Sequence, residues 1–268
     1  MKTRIVTGII GGALFLGVLW YGGMIFSVLV TLLALLGWNE YAKMANIEND
    51  RFITVIGFFL TSLFFLPSVI PNISTLVEAG TYHQHVMIFI VVVLFTYVVF
   101  SKNKFTIEHA GVVILGLIYI GFGFFFFLHT RLTYGDYAFA FILYILIVIW
   151  STDSGAYFVG KKYGKHKLWP EISPNKTIEG SAGAILVALI TATIFHSLQP
   201  NVFQYNELVL YTLIISTVGQ VGDLVQSAIK RHYSVKDSGT LLPGHGGVLD
   251  RFDSLLFVFP ILYLLQLI

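Results

Sequence analysis

Ser227-Ala-Ile-Lys-Arg-His-Tyr-Ser-Val-Lys-Asp-Ser-Gly-Thr-Leu-Leu-Pro-Gly-His-Gly-Gly-Val-Leu-Asp-Arg-Phe-Asp253 lies between two strongly apolar runs, Leu208–Val218 before it and Leu255–Ile268 after it. Charges, hydroxyls and glycines set between such runs cost solvation free energy unless water, ions or charged ligands satisfy them. The stretch therefore reads as the working part of a membrane protein, and the rest of the chain agrees. Of 268 residues, 56% are hydrophobic and 11% charged, against about 25% charged in a soluble domain. Apolar runs of membrane-crossing length recur from end to end and leave no room for a separate soluble domain. With no cysteine, disulfide and thiolate chemistry are excluded.

The expectation is an all-α polytopic integral membrane protein of about nine transmembrane helices, forming one domain over residues 1–268. Residues 1–137 would supply spans, and 138–268 spans together with the loops that carry the site. The expected spans are Ile5–Trp20, Gly22–Trp38, Phe52–Ile70, Val86–Phe100, Gly111–Leu128, Ala138–Trp150, Gly180–Leu198, Leu208–Gln226 and Phe252–Ile268. The first two, joined at Tyr21-Gly22-Gly23, read as a tight hairpin or one broken element. A cytoplasmic N-terminus puts Lys2, Arg4, Lys43, Arg51, Lys102, Lys104, Lys161, Lys162, Lys165, Lys167, Lys176, Lys230, Arg231, Lys236 and Arg251 inside, and Arg131 alone outside. The two polar loops, Ser151–Glu179 and Lys230–Arg251, then face the cytoplasm together. The setting is a multi-pass protein of the cell membrane.

On a helix, Asp223, Ser227 and Lys230 share one face at i, i+4 and i+7. An acid inside a membrane span favours function over simple pairing. Asp250 and Asp253 open the last span, where a carboxylate caps free N–H groups; capping accounts for one of them, but not for Arg251 between them or for the glycines before them. Those glycines, at 244, 246 and 247, allow a backbone to fold closely round a ligand. Asp223 and Asp250, if brought together, would repel unless a cation lay between them, and hard oxygen ligands suit Mg²⁺ completed by substrate phosphates. Asp153 is a third acid of either metal or span-end role.

Gly155 to Lys161 fits most of a P-loop, but Lys162 stands at the Ser/Thr position and no βα unit surrounds it, so the motif is rejected. Lys161–Lys167 alone reads as positive-inside anchoring beside anionic headgroups. In Ser173-Pro-Asn-Lys-Thr, Lys176 and Thr177 precede the small-residue helix start Glu179-Gly-Ser-Ala-Gly-Ala184, where oxyanions can meet a helix N-terminus. His83 and His85, with Glu78 nearby, have a spacing that can bind metal but read as solvated loop histidines. Clustered acids and clustered cations together fit phosphoryl or nucleotidyl transfer, in which catalysis is largely positioning and charge neutralisation.

Ser227, Lys230, Arg231, Lys236, Asp237, Gly239, Pro243, His245, Gly246, Gly247, Asp250, Arg251 and Asp253 match without departure the long pattern of the phosphatidate cytidylyltransferases, the CDP-diacylglycerol synthase family, which the chain resembles. Asp153-Ser-Gly-Ala-Tyr, Gly160, Gly164 and Ser173–Gly180 extend the resemblance over the C-terminal half. The resemblance implies Mg²⁺-dependent transfer from CTP to phosphatidate held in the membrane leaflet, with CDP-diacylglycerol and pyrophosphate as products in phospholipid biosynthesis. It also implies Asp223 and Asp250 as metal ligands, with a second, monovalent cation such as K⁺ nearby. Lys176, Lys230, Arg231, Lys236 and Arg251 become candidates for holding phosphates, with Thr177, Gly246 and Gly247 beside them, while Ser227, Asp237, His245 and Asp253 shape the site. No nucleic-acid partner is expected, and a homo-oligomer is left open. The complete C-terminal pattern argues against a polyprenol kinase, and a CDP-archaeol synthase is a neighbouring alternative. A cation-coupled transporter lacks any need for the Lys-Arg and His-Gly-Gly elements, and no internal repeat supports one.

Overall fold

The computed structural model describes residues 2–48, 50–70, 81–200, 203–241, 244 and 246–268, with backbone alone for 2–7. Ten α-helices and one short β-hairpin are present among them. Most of each expected apolar stretch falls on helix, and among the described residues six helices are long and apolar enough to cross a membrane: Gly23–Met44, Tyr82–Phe100, Ile107–Thr133, Gly135–Tyr163 (its first three residues a 3-10 turn), Ile178–Leu198 and Tyr205–His232. Gly8–Tyr21 and Arg51–Leu63 are shorter apolar helices. The chain forms two compact units, one of Met1–Leu128 with Asp237–Arg251, the other of His129–Lys236 with Phe252–Ile268. The polar segment after residue 236 thus belongs with the N-terminal helices, a grouping that the linear order of the chain does not suggest.

In the first unit, α1 (Lys2–Tyr21) and α2 (Gly23–Met44) are separate helices, broken where Gly22 and Gly23 take φ of 72° and 56°, a region that glycine enters without steric cost. One face of α2 carries Phe26, Val30, Ala34, Trp38 and Tyr41 into the core. The Tyr41 hydroxyl donates to the Val112 carbonyl at 2.9 Å, tying α2 to α6 (Ile107–Thr133). The expected span Phe52–Ile70 is divided: α3 (Arg51–Leu63) ends before Phe64, and α4 (Leu66–Val69) restarts with a proline in its first turn, a position where a missing N–H costs nothing. Asp50 caps α3, accepting from the Phe52 and Ile53 amides, and also accepts from the Tyr97 hydroxyl at the end of α5 (Tyr82–Phe100). The His83 Nε2 lies 3.2 Å from the Phe64 carbonyl and the His85 Nδ1 2.8 Å from the Thr81 carbonyl. Both rings are thus engaged by backbone; Glu78 lies outside the described residues.

In the second unit, α7 (Ala138–Tyr163) runs straight through the polar sequence expected to be loop from Ser151. Its Ser, Asp and Gly residues persist in helix because α7 packs most extensively on α8 (Ile178–Leu198) through small residues. A Cβ on Gly155 would lie 2.9 Å from Val187, and one on Gly180 would lie 2.9 Å from the Ala156 carbonyl. Close backbone approach of this kind is how helices associate in lipid, where burying apolar surface supplies no drive. Polar ties cross the bundle as well. Tyr144 lies 3.0 Å from the Leu208 carbonyl and 2.5 Å from Thr212, Thr152 donates to Ser216 at 3.0 Å, and Ser254 of α10 (Leu249–Leu264) donates to the Gly219 carbonyl of α9 (Tyr205–His232) at 3.1 Å. Each satisfies a hydroxyl that hydrocarbon cannot.

Between α7 and α8 an antiparallel hairpin, absent from the sequence expectation, joins β1 (Lys167–Trp169) to β2 (Ser173–Thr177). It leads directly into α8, which Thr177 caps by accepting the Gly180 amide at 3.1 Å. Glu179 closes the preceding turn, accepting from the Lys165 and His166 amides at 3.0 and 3.2 Å and meeting the His166 ring at 2.6 Å.

Candidate active site

A cleft of about 520 Å³ opens in the second unit between α7, the hairpin, α8 and α9, within the usual size range for small-molecule sites. Asp153, Ala156, Tyr157, Gly160, Lys161 and Gly164 line it along α7 and its end, at i, i+3, i+4, i+7, i+8 and i+11, the pattern of one helix face. The hairpin adds Lys167, Asn175, Lys176 and Thr177; α8 adds Gly180 and Ser181; and α9 adds Gln220 and Asp223, one turn apart. Glycines on the facing elements keep the wall open: a Cβ on Gly164 would lie 2.7 Å from Thr177.

Across the cleft, Lys176 Nζ lies 2.6 Å from Asp223 Oδ2, with about a quarter to a third of each side chain exposed. Ser227, one turn along α9, donates to Asp223 Oδ1 at 3.3 Å. Of the face expected from sequence, the Ser227 hydroxyl and the Asp223 carboxylate are in contact. Asp153 and Asp253 are near enough for their charges to act on each other and on Asp223, with Lys176 offsetting the first and Lys230 the second. Asp253 also accepts the Ser254 amide at 2.7 Å. Arg231 and Lys236, in the same unit, are exposed and are not among the residues lining this cleft, and Arg251, in the first unit, is exposed.

The first unit holds the rest of the polar pattern. Asp250 Oδ2 accepts from the Ser238 amide at 2.8 Å, the Ser238 hydroxyl at 3.0 Å and the Gly247 amide at 3.0 Å. Glu40, buried on α2, accepts from the same hydroxyl at 2.9 Å and from the amides of Val248 and Leu249 at 2.7 and 3.0 Å. Gly239, Gly246 and Gly247 are fitted closely to these two carboxylates. A Cβ on Gly246, whose φ is +84°, would lie 2.6 Å from Asp250 Oδ2, and one on Gly239 would lie 2.8 Å from Glu40 Oε1. His245 lies outside the described residues.

Sequence reasoning placed Asp153, Lys176, Thr177, Asp223 and Ser227 on elements that meet at one cleft. It did not find Glu40, which no spacing relates to residues some 200 positions away. It read Lys161 and Lys167 as anchoring, although both line the cleft while Lys162 and Lys165 do not. The available signal was the spacing Asp153, Tyr157, Lys161, which puts the lysine on the acid's helix face.

Among the described residues no three His, Asp or Glu side chains are grouped so as to hold a metal ion by themselves. The two acids lining the cleft fit a hard cation of the Mg²⁺ kind, which takes one or two carboxylates and completes its shell with water and substrate phosphates, and they do not fit an all-protein cage.

Fold and cleft define a helical membrane protein that presents carboxylates and lysines together in one polar recess. The profile of the cytidylyltransferase family matches residues 2–268. The chain belongs to this family of nucleotidyltransferases. It is 47% identical to the phosphatidate cytidylyltransferase of Bacillus subtilis over 265 residues, covering 99% of this chain and 97% of that one. It is 40% identical to those of Staphylococcus epidermidis and Staphylococcus aureus, over 272 and 271 residues, with 99% of this chain and 98% of the relative covered in each case.

Proposed function

We propose that the protein transfers the cytidylyl group of CTP to phosphatidate, with Mg²⁺ as cofactor and pyrophosphate as the second product. The observation that carries the reading is the Lys176–Asp223 contact inside a cleft that also holds Asp153, Lys161 and Lys167, in a chain so similar over its full length to enzymes with that name. An oxygen of the phosphatidate phosphate attacks the α-phosphorus of CTP, a new P–O bond forms, and the bond from α-phosphorus to the pyrophosphate oxygen breaks. A phosphate monoester is largely doubly ionised near neutrality, its second pKa being about 6, so the nucleophile needs no strong protein base.

Lys161, Lys167 and Lys176 offset phosphate charge, and the start of α8 beside Thr177 adds oriented backbone dipoles. Asp153 and Asp223 would hold Mg²⁺, which when bound supplies charge neutralisation of the phosphates. Parts for Asp250, Lys230, Arg231, Lys236, His245, Gly246, Gly247, Arg251 and Asp253, and for a monovalent cation such as K⁺, are proposed from the sequence pattern alone. The setting proposed is the cell membrane with the cleft facing the cytoplasm, where CTP is available and phosphatidate reaches it from the leaflet.

Purified protein in lipid is expected to release pyrophosphate only when CTP, phosphatidate and Mg²⁺ are all present. Release without phosphatidate, or none with all three, would overturn the assignment. The natural chain has no cysteine, so orientation is testable directly. Lys165→Cys and Lys236→Cys are expected to react with an impermeant thiol reagent only from the cytoplasmic face, and labelling of either from the opposite face would reject the proposed orientation.

A further inference from the structure

We infer that Glu40 is a positioning residue for the reaction, holding the segment 238–250 and, through Ser238, the carboxylate of Asp250. The inference rests on the reading above in giving Asp250 a part in turnover. Glu40 is 5% exposed, and a buried carboxylate is costly unless donors surround it. Here the donors are two successive amides at the start of α10, Val248 and Leu249, and the Ser238 hydroxyl. A helix start is ordinarily capped by a short side chain next to it in sequence. In this protein a glutamate on α2 does so from about 200 residues away.

The support beneath it is stiff. Neighbouring Trp38 and Tyr41 are buried, and Tyr41 is bonded to the Val112 carbonyl. One hydroxyl, with a single hydrogen, lies 2.9 Å from Glu40 Oε2 and 3.0 Å from Asp250 Oδ2. The two carboxylates therefore compete for it, and the position of one is felt by the other. A Cβ on Gly247 would lie 2.5 Å from the Glu40 carboxyl carbon, and one on Gly239 2.9 Å from it, so the backbone on both sides of the segment is fitted to this side chain. Removing Glu40 takes the acceptor from the Val248 and Leu249 amides and ends the competition for the Ser238 hydroxyl.

The test joins amide hydrogen exchange of the full-length protein in nanodiscs to steady-state kinetics. Glu40→Ala is expected to speed exchange in peptides covering 238 and 247–249, leave exchange in α7 and α8 unchanged, and lower kcat by about 10- to 100-fold, with KM for CTP and phosphatidate within about three-fold. Glu40→Gln keeps one carbonyl acceptor for Val248, and its amide can donate to the Ser238 oxygen, so it is expected to recover part of both losses. Ser238→Ala removes only the shared hydroxyl and is expected to show the smaller kinetic loss; it carries the test should Glu40→Ala fail to fold. Faster local exchange with kcat within two-fold of the parent would make Glu40 structural only and overturn the proposal, as would unchanged exchange. Asp250→Asn separates the two claims: full activity in that variant removes Asp250 from the reaction, whereas an inactive Asp250→Asn beside a fully active Glu40→Ala sinks the positioning role alone.

Discussion

Asp223→Asn is expected to lower turnover by about 1,000-fold or more, roughly 4 kcal/mol of transition-state stabilisation, while the protein remains folded in the membrane. The substitution keeps the size of the side chain and one oxygen acceptor, so the Ser227 contact survives. It removes the charge that Lys176 meets at 2.6 Å and, on the proposed function, a carboxylate that would hold Mg²⁺. Neighbouring acids do not replace it, because Asp153 and Asp253, on which the charge of Asp223 acts, sit on other helices. Deleting a carboxylate from such a set relieves repulsion, so little loss of stability is expected, and thermal unfolding in detergent checks this. Turnover within ten-fold of the parent would remove Asp223 from the centre of the reaction.

The sequence made the membrane class legible because composition and run length report directly on the solvent that a chain requires. The positions of the helices followed, and so did the shared face of Asp223 and Ser227, since a spacing of four on a helix is a geometric constraint. Helix ends were less legible. The run Trp150–Tyr157 looks like loop by composition, yet it is helical, with Gly155 packed at a tight helix crossing, a tertiary fact that no local propensity carries. The hairpin before Thr177 was missed for the related reason that its two strands, three and five residues long, are too short for any period to show. Glu40 was illegible altogether. Its role arises from a contact between segments some 200 residues apart, and in one sequence a glutamate near the end of an apolar helix reads as an ordinary span-end charge. The glycines at 244, 246 and 247 did signal close approach, and at 246 and 247 what approaches is a carboxylate, of Asp250 and Glu40 respectively.

Lys176→Ala is expected to lower kcat/KM for CTP by about 100-fold, near 2.7 kcal/mol, and to change stability far less. The two magnitudes separate a catalytic cation from a structural one. An ion pair as exposed as Lys176–Asp223 contributes about 0–1 kcal/mol to folding, because water screens it and two side chains are immobilised to make it. A loss of turnover well beyond that range cannot come from the pair as a structural tie. It would come from phosphate charge left without its cation at the point where β2 passes into α8, where the lysine is held by the short hairpin and by the Thr177 cap. Lys176→Arg restores the charge with a broader, planar head, so it is expected to recover activity only in part, since a rigid guanidinium fork does not reproduce a compact ammonium. The double variant Lys176→Ala with Asp223→Asn is expected to lose less than the sum of the two single losses, because each partner removes the same contact. Strict additivity in that cycle would mean that the two residues serve separate steps, and a Lys176→Ala enzyme within three-fold of the parent would take the lysine out of phosphate binding.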